Sequence, residues 1–248
     1  MCKESSTNLV CIFDSGIGGL NLLYECTKRR SDCNFAYFAD NYNMPYGSLP
    51  HEKILRLVDG KFEFMNLLNP AAAVVACNTV TAECISFLRQ KYSFPIIGIQ
   101  PAVKPAALKH KNCVVLATPA TANSIAIKSL VEKYGRGHTR VIACPDLASY
   151  IENKIFNINP KEVETLLPDI GCDSIVLGCT HYIYISEIIS SYYNCPVFDG
   201  VEGTVNRFEK IIGVSGNTVT ERSEITFFGG DYIKNSRIFN YLRTQTLN

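Results

Sequence analysis

No two of the eleven cysteines are spaced C-x-x-C, so neither a zinc ribbon nor a thioredoxin-type redox site has a scaffold here. Their number is odd, the chain runs to 248 residues, and the polar opening segment 1–8 carries no secretory signal. A disulfide framework is therefore not expected, and reduced thiols in a cytoplasmic protein are the simpler reading. Long apolar runs are also missing. The segment 71–76 is closed off by polar residues within a few positions, so no membrane span is expected. Charge of one sign does not accumulate: the net charge is +1, and basic residues stand singly or in short groups such as Lys28-Arg29-Arg30. That balance points to no nucleic-acid and no membrane-surface partner. Finally, the glycines after the first apolar run lack a third member. Asn21 stands where a dinucleotide fingerprint beginning at Gly16 and Gly18 needs glycine or alanine, which argues against a nucleotide-dependent oxidoreductase.

With 47% hydrophobic and 19% charged residues, the chain can bury a substantial core. Short apolar runs alternate with helical patterns, the signature of mostly parallel sheets covered by helices. Strands are predicted at 9–13, 35–38, 72–76, 96–99, 113–116, 141–143, 174–177, 196–198 and 224–228. Ile54, Leu55, Val58, Met65 and Leu68 keep helical spacing along one face, and Pro160 opens a shorter helix over 161–167. Pro101 and Pro105 mark 98–112 as a crossing between two halves.

The halves look alike. Val10-Cys11-Ile12-Phe13 turns at Asp14-Ser15-Gly16 and later meets Val74-Val75-Ala76-Cys77-Asn78-Thr79. Val114-Val115-Leu116-Ala117 turns at Thr118 and later meets Val176-Leu177-Gly178-Cys179-Thr180-His181. The spacing from Ser15 to Cys77 and from Thr118 to Cys179 differs by a single position. The expected fold class is α/β: two similar domains related by pseudo-two-fold symmetry, each a mostly parallel sheet flanked by helices. The first takes residues 1–98 and 208–248, the second 99–207.

Cys77 and Cys179 each fall at the carboxyl end of a buried strand, just before a predicted helix, where ligands of open α/β sheets collect. A helix N-terminus there should favour thiolate over thiol, against an ordinary pKa of about 8.5. Cys11, Cys113 and Cys172 lie in or beside apolar runs and read as packing residues. Paired thiols could also do redox chemistry, but such sites usually show a nearer partner. Taken singly, Asp14 reads as a cap for the turn at Gly16, Tyr46 as turn punctuation, His181 as a buried hydrogen-bonding histidine, and Glu152 as a solvated helix residue.

The full set of motifs resembles glutamate racemase, of the aspartate/glutamate racemase family. It comprises Asp14-Ser15-Gly16 with Gly18-Gly19, Asp40-Asn41, Pro45-Tyr46-Gly47, Ala76-Cys77-Asn78-Thr79, Gly98 with Pro101, Thr118 with Thr121, and Leu177-Gly178-Cys179-Thr180-His181. The resemblance implies an active site between the two domains and interconversion of L- and D-glutamate, supplying D-glutamate for peptidoglycan synthesis. It implies no pyridoxal phosphate, metal or nucleotide. Cys77 and Cys179 would face opposite sides of the α-carbon, with Asp14 assisting Cys77, and His181 and Glu152 assisting Cys179. Ser15, Asn78, Thr79, Thr118, Thr121 and Thr180 would hold the amino and carboxylate groups, while Pro45, Tyr46 and Gly47 line the side-chain end. A homodimer is the expected assembly. Ala117, Ile183 and Gly200 depart from the family pattern without removing a proton-handling group. One branch of the family carries an amino-terminal extension linked to activation, for which a first strand near Leu9 leaves little room. A related racemase for aspartate or a cyclic amide, or a sensor descended from the enzyme, are the competing readings.

Overall fold

The computed structural model describes residues 8–213 and 223–245; the opening segment with Cys2, and the stretches 214–222 and 246–248, lie outside them. Within the described residues the strands are β1 (Leu9–Asp14), β2 (Asn34–Ala39), β3 (Ala72–Val75), β4 (Ile96–Gly98), β5 (Cys113–Ala117), β6 (Thr139–Ala143), β7 (Ser174–Gly178), β8 (Val197–Phe198) and β9 (Ile225–Phe228). The helices are α1 (Leu20–Arg29), α2 (His51–Leu67), α3 (Asn78–Lys91), α4 (Val103–Lys109), α5 (Pro119–Asn123) and α6 (Ile125–Tyr134). They continue with α7 (Leu147–Lys154), α8 (Pro160–Leu166), α9 (Ser186–Tyr193), α10 (Val201–Ile212) and α11 (Tyr232–Gln245).

The strands form two wholly parallel sheets, ordered β4-β3-β1-β2-β9 and β6-β5-β7-β8. Central strands buried on both faces account for the unbroken apolar runs in the sequence. In β1, Val10 and Ile12 enter one core while Cys11 and Phe13 enter the other, and β3 divides the same way. In β5, Val114 and Leu116 face one core of the second sheet, and Cys113, Val115 and Ala117 the other. Burying each such large side chain stabilises the fold by about 1.5–3 kcal/mol.

The apparent duplication is the register of the two central pairs. Val10 lies opposite Ala72 (10 to 72, 62 positions) and Cys113 opposite Ser174 (113 to 174, 61 positions). Nearly equal excursions, each passing through one further strand with helices on either side, therefore bring Cys77 beside the end of β1 and Cys179 beside the end of β5.

Helix starts follow the local chemistry. The Ser124 side chain accepts from Ile127 N–H to open α6, and Asn159 caps α8 with Pro160 in its first turn. In α2 the buried stripe is Ile54, Val58, Phe62 and Met65; Leu55 and Leu68 are half-buried at its margin. The crossing at 98–112 contains α4, with Pro105 in its first turn, where a missing N–H costs little. The chain returns at Asp199-Gly200, and a Cβ on Gly200 would run into the Gln100 carbonyl, so the two crossings touch. The expected division between 207 and 208 falls inside α10, and both Val205 and Phe208 sit in the core of the first sheet. Among the described residues no helix is long and apolar enough to cross a membrane.

Candidate active site

Cys77 follows β3 as the N-cap of α3, and Cys179 follows β7. The second helix start differs from expectation: residues Thr180–Ile185 form a 3-10 turn before α9, so Cys179 does not sit on an α-helix N-terminus. The expected thiolate is also not the resting state of Cys77. Burial, reinforced by the Asp14 carboxylate, pushes its thiol up to about 12, although Ser15 and the Val80 N–H favour the ionised form. Desolvation outweighs the helix dipole when no countercharge is present.

Asp14 and Ser15 leave β1 beside Cys77. Ser15 Oγ lies 3.5 Å from Cys77 Sγ, so this hydroxyl meets the sulfur itself. Asp14 is fully buried; Oδ1 accepts the Gly16 N–H at 2.8 Å and Oδ2 accepts the Thr180 hydroxyl at 3.0 Å. The cap reading of Asp14 thus holds, and the same carboxylate also reaches across to the residue after Cys179. Burial raises its pKa to about 6, against the lowering effect of His181 and of its two hydrogen bonds. A carboxyl poised there can hold or release a proton near neutrality.

On the other side, His181 Nδ1 lies 3.9 Å from Cys179 Sγ, and Nε2 lies 2.7 Å from Glu152 Oε2. Glu152 is buried rather than solvated, and all four acceptor positions of its carboxylate are filled. Oε2 takes the Ile17 N–H at 3.0 Å as well as His181, and Oε1 takes Asn41 Nδ2 at 2.7 Å and Lys234 Nζ at 2.8 Å. Burial opposes its charge, but the bonds from His181, Lys234 and Ile17 win and hold Glu152 down to about 2. Burial likewise opposes His181, and its bonds to Cys179 and Glu152 raise it to about 10.

The two halves meet closely at glycines. A Cβ on Gly16 would strike Glu152 Oε2, one on Gly18 would strike the Thr180 hydroxyl, and one on Gly47 would strike Thr118. None of the three has a positive φ, so contact rather than backbone freedom selects glycine there. Across the same seam Thr79 Oγ1 lies 3.0 Å from Thr118 Oγ1 and 3.2 Å from Thr121 Oγ1, a triangle of hydroxyls. The Asn78 amide oxygen is buried with no hydrogen-bond partner, the kind of acceptor a ligand ammonium would satisfy. Tyr46 is buried with its hydroxyl donated to Asp40 Oδ2 at 2.7 Å, a bond that ties together the ends of the 40–46 loop containing Pro45. A cavity of about 350 Å³ between α3, α6 and the first crossing has Asn78 and Thr121 on its wall.

Asn41, Lys234, Tyr37 and Tyr184 were missed as site residues. Tyr37 and Tyr184 donate to the Gly16 and Ile17 carbonyls at 2.7 and 2.8 Å and hold the glycine turn. Asn41 stood in a motif without a role, and no sequence spacing signals Lys234, 82 positions from Glu152. Among the described residues no cluster of three or more His, Cys, Asp or Glu could hold a metal ion.

Residues 55–208 match a family described as Asp/Glu/Hydantoin racemase. A glutamate racemase of Clostridium acetobutylicum is 38% identical over 213 residues, covering 82% of this chain and 83% of its own. One from Campylobacter concisus is 36% identical over 229 residues, covering 88% and 87%. Among solved structures, a glutamate racemase isoform from Bacillus anthracis matches with a TM-score of 0.79 at 25% identity, over 98% of this chain and 95% of that one. Escherichia coli glutamate racemase, in complex with L-glutamate and an activator, shares the fold with a TM-score of 0.81 at 22% identity, over 96% and 95%. The match over residues 55–208, together with relatives 36–38% identical over more than four-fifths of the chain, places it in the Asp/Glu/Hydantoin racemase family.

Proposed function

We propose that the chain interconverts L- and D-glutamate by passing the α-proton between Cys77 and Cys179. The observation that carries this reading is the paired placement of the two buried thiols. Each ends the partner of a central strand, and each has its own proton-handling groups. The curated relatives are themselves glutamate racemases.

In the forward step the thiolate of one cysteine takes the α-proton: the C–H bond breaks, an S–H bond forms, and its electron pair stays on the α-carbon. The opposite thiol then delivers its proton to the other face of that carbon, which inverts the centre and leaves a thiolate. The roles exchange in reverse. Net charge does not change, so burial of the site does not oppose the chemistry. Asp14, near neutrality, accepts the proton that Cys77 must lose, and His181 with Glu152 serves Cys179. The substrate ammonium, bound by Asn78 and the surrounding hydroxyls, supplies positive charge beside Cys77. Each unit by which it lowers a thiol pKa is worth about 1.4 kcal/mol.

No lysine frame for pyridoxal phosphate and no metal enters this scheme. The product D-glutamate serves peptidoglycan synthesis. We place the protein in the cytoplasm, supported by ten free cysteines among the described residues, and we expect a homodimer on family grounds alone. We set the boundaries of the second domain near Ile99 and Gly200, because α10 packs on the first sheet.

The test is incubation of purified, dialysed protein with L-glutamate in heavy water without added cofactor, in chelator and without it. Optical rotation should decay to zero while deuterium enters the α-position, at the same rate in both samples. A requirement for pyridoxal phosphate, or rotation lost without exchange, would overturn the scheme.

A further inference from the structure

Lys234 lies in the first turn of α11, a helix that packs on the first sheet through α1 and β9. Its Nζ nevertheless crosses to α7 in the other half. There it donates to the backbone carbonyl of Glu152 at 2.5 Å and to Glu152 Oε1 at 2.8 Å. The lysine is itself fixed, because its backbone N–H bonds Asp231 Oδ1 at 2.9 Å and Asp231 N–H bonds Asn41 Oδ1 at 3.2 Å. Asn41 in turn donates to the same Glu152 oxygen.

The charges explain why a lysine is useful there. Glu152 and a protonated His181 cancel one another, so on their own they would present a neutral pair to Cys179. A half-buried ammonium on the far carboxylate oxygen gives the group one net positive charge. It also prevents Glu152 from swinging away from His181 Nε2, since both its side chain and its main chain are held.

Resting on the two-thiol reading above, we propose that Lys234 is a positioning residue for proton transfer at Cys179, acting through Glu152 and His181 and not on the Cys77 face.

Variants Lys234→Met and Lys234→Arg are placed separately in Cys77→Ser and Cys179→Ser backgrounds, so that one thiol remains in each. Elimination from L- and D-glutamate analogues carrying a β-leaving group is then followed. Lys234→Met should slow elimination from the L analogue at Cys179 about tenfold, the effect of losing the charge-assisted bond to the Glu152 carboxylate, and change the D reaction at Cys77 less than about twofold. Lys234→Arg, which keeps the charge, should restore most of the L rate. Should Lys234→Met fail to fold, Lys234→Gln carries the same comparison, keeping a donor without its charge. Equal losses on both faces would make the lysine a structural tie only, and no loss on either would leave it idle; both results overturn the inference. If the two single-thiol backgrounds prefer the same enantiomer, the two-thiol reading itself falls and this inference falls with it.

Discussion

His181 Nε2 lies 2.7 Å from Glu152 Oε2, with both side chains buried at the meeting of the two halves. Each holds the other charged in a place where burial alone would neutralise both. The relationship joins α7 to the turn after β7 and sets the ring so that its other nitrogen faces Cys179.

Its pH dependence has a definite sign. The folded value for His181, about 10, lies above the ordinary 6.5. The stability it contributes is complete below pH 6.5 and is lost as the pH rises toward 10. Thermal unfolding followed from pH 6 to 10 should show the wild type losing more than His181→Asn does. Parallel curves for the two proteins would mean that the histidine is not held protonated.

Asp14 should behave in the opposite sense. Its folded value, about 6, lies above the ordinary 3.8, so ionising it at neutral pH opposes folding, and stability improves as the pH falls from 6 to 3.8. Asp14→Asn is expected to raise stability at pH 8 by up to about 3 kcal/mol while cutting racemisation about a hundredfold or more. The stability gain should close by pH 4. A variant that is less stable at pH 8 would contradict the assigned shift.

The two thiols should prove unequal. Racemisation needs both, so Cys77→Ser and Cys179→Ser are each expected to lose about 10²-fold or more. Loss of the α-hydrogen from a single enantiomer should survive: from L-glutamate in Cys77→Ser, and from D-glutamate in Cys179→Ser. Proton exchange by each variant with each enantiomer measures this directly, and near-normal racemisation by either would end the two-base scheme.

Glycine contacts make a further prediction. Gly16→Ala and Gly47→Ala add a methyl where Glu152 or Thr118 already stands, and overpacking of this kind costs about 1–3 kcal/mol. Both should lower kcat/KM as well as the thermal midpoint. Gly60→Ala in α2 and Gly203→Ala in α10 meet no neighbour, so they should be neutral or stabilising by about 0.5–1 kcal/mol.

Glutamate should be turned over faster than aspartate. One methylene is worth only about 1–3 kcal/mol, so slow aspartate turnover is expected as well. Competition between the two substrates measures the ratio, and equal or faster turnover of aspartate would reassign the substrate.

Much of this architecture was legible in the chain. Strands buried on both faces must be continuously apolar, so each of the nine runs could be found to within about two residues of its observed bounds. Parallel partners need a long crossover between them, and the nearly matched spacing before Cys77 and Cys179 betrayed two equivalent sheets. What no local pattern could state was the balance of long-range electrostatics. A helix start favours a thiolate, but whether burial overrides it depends on atoms brought from elsewhere, as at Cys77. Glu152 looks like a solvated helix residue until His181, Asn41, Ile17 and Lys234 converge on it from four other segments. Periodicity and turn chemistry reach only a few residues along the chain, and they determined the strands, the glycine turns and the two cysteines. The charge states of Asp14, Cys77, Glu152 and His181 are set by desolvation and by partners as far apart in the chain as Asp14 and His181, and only the packing of one half on the other decided them.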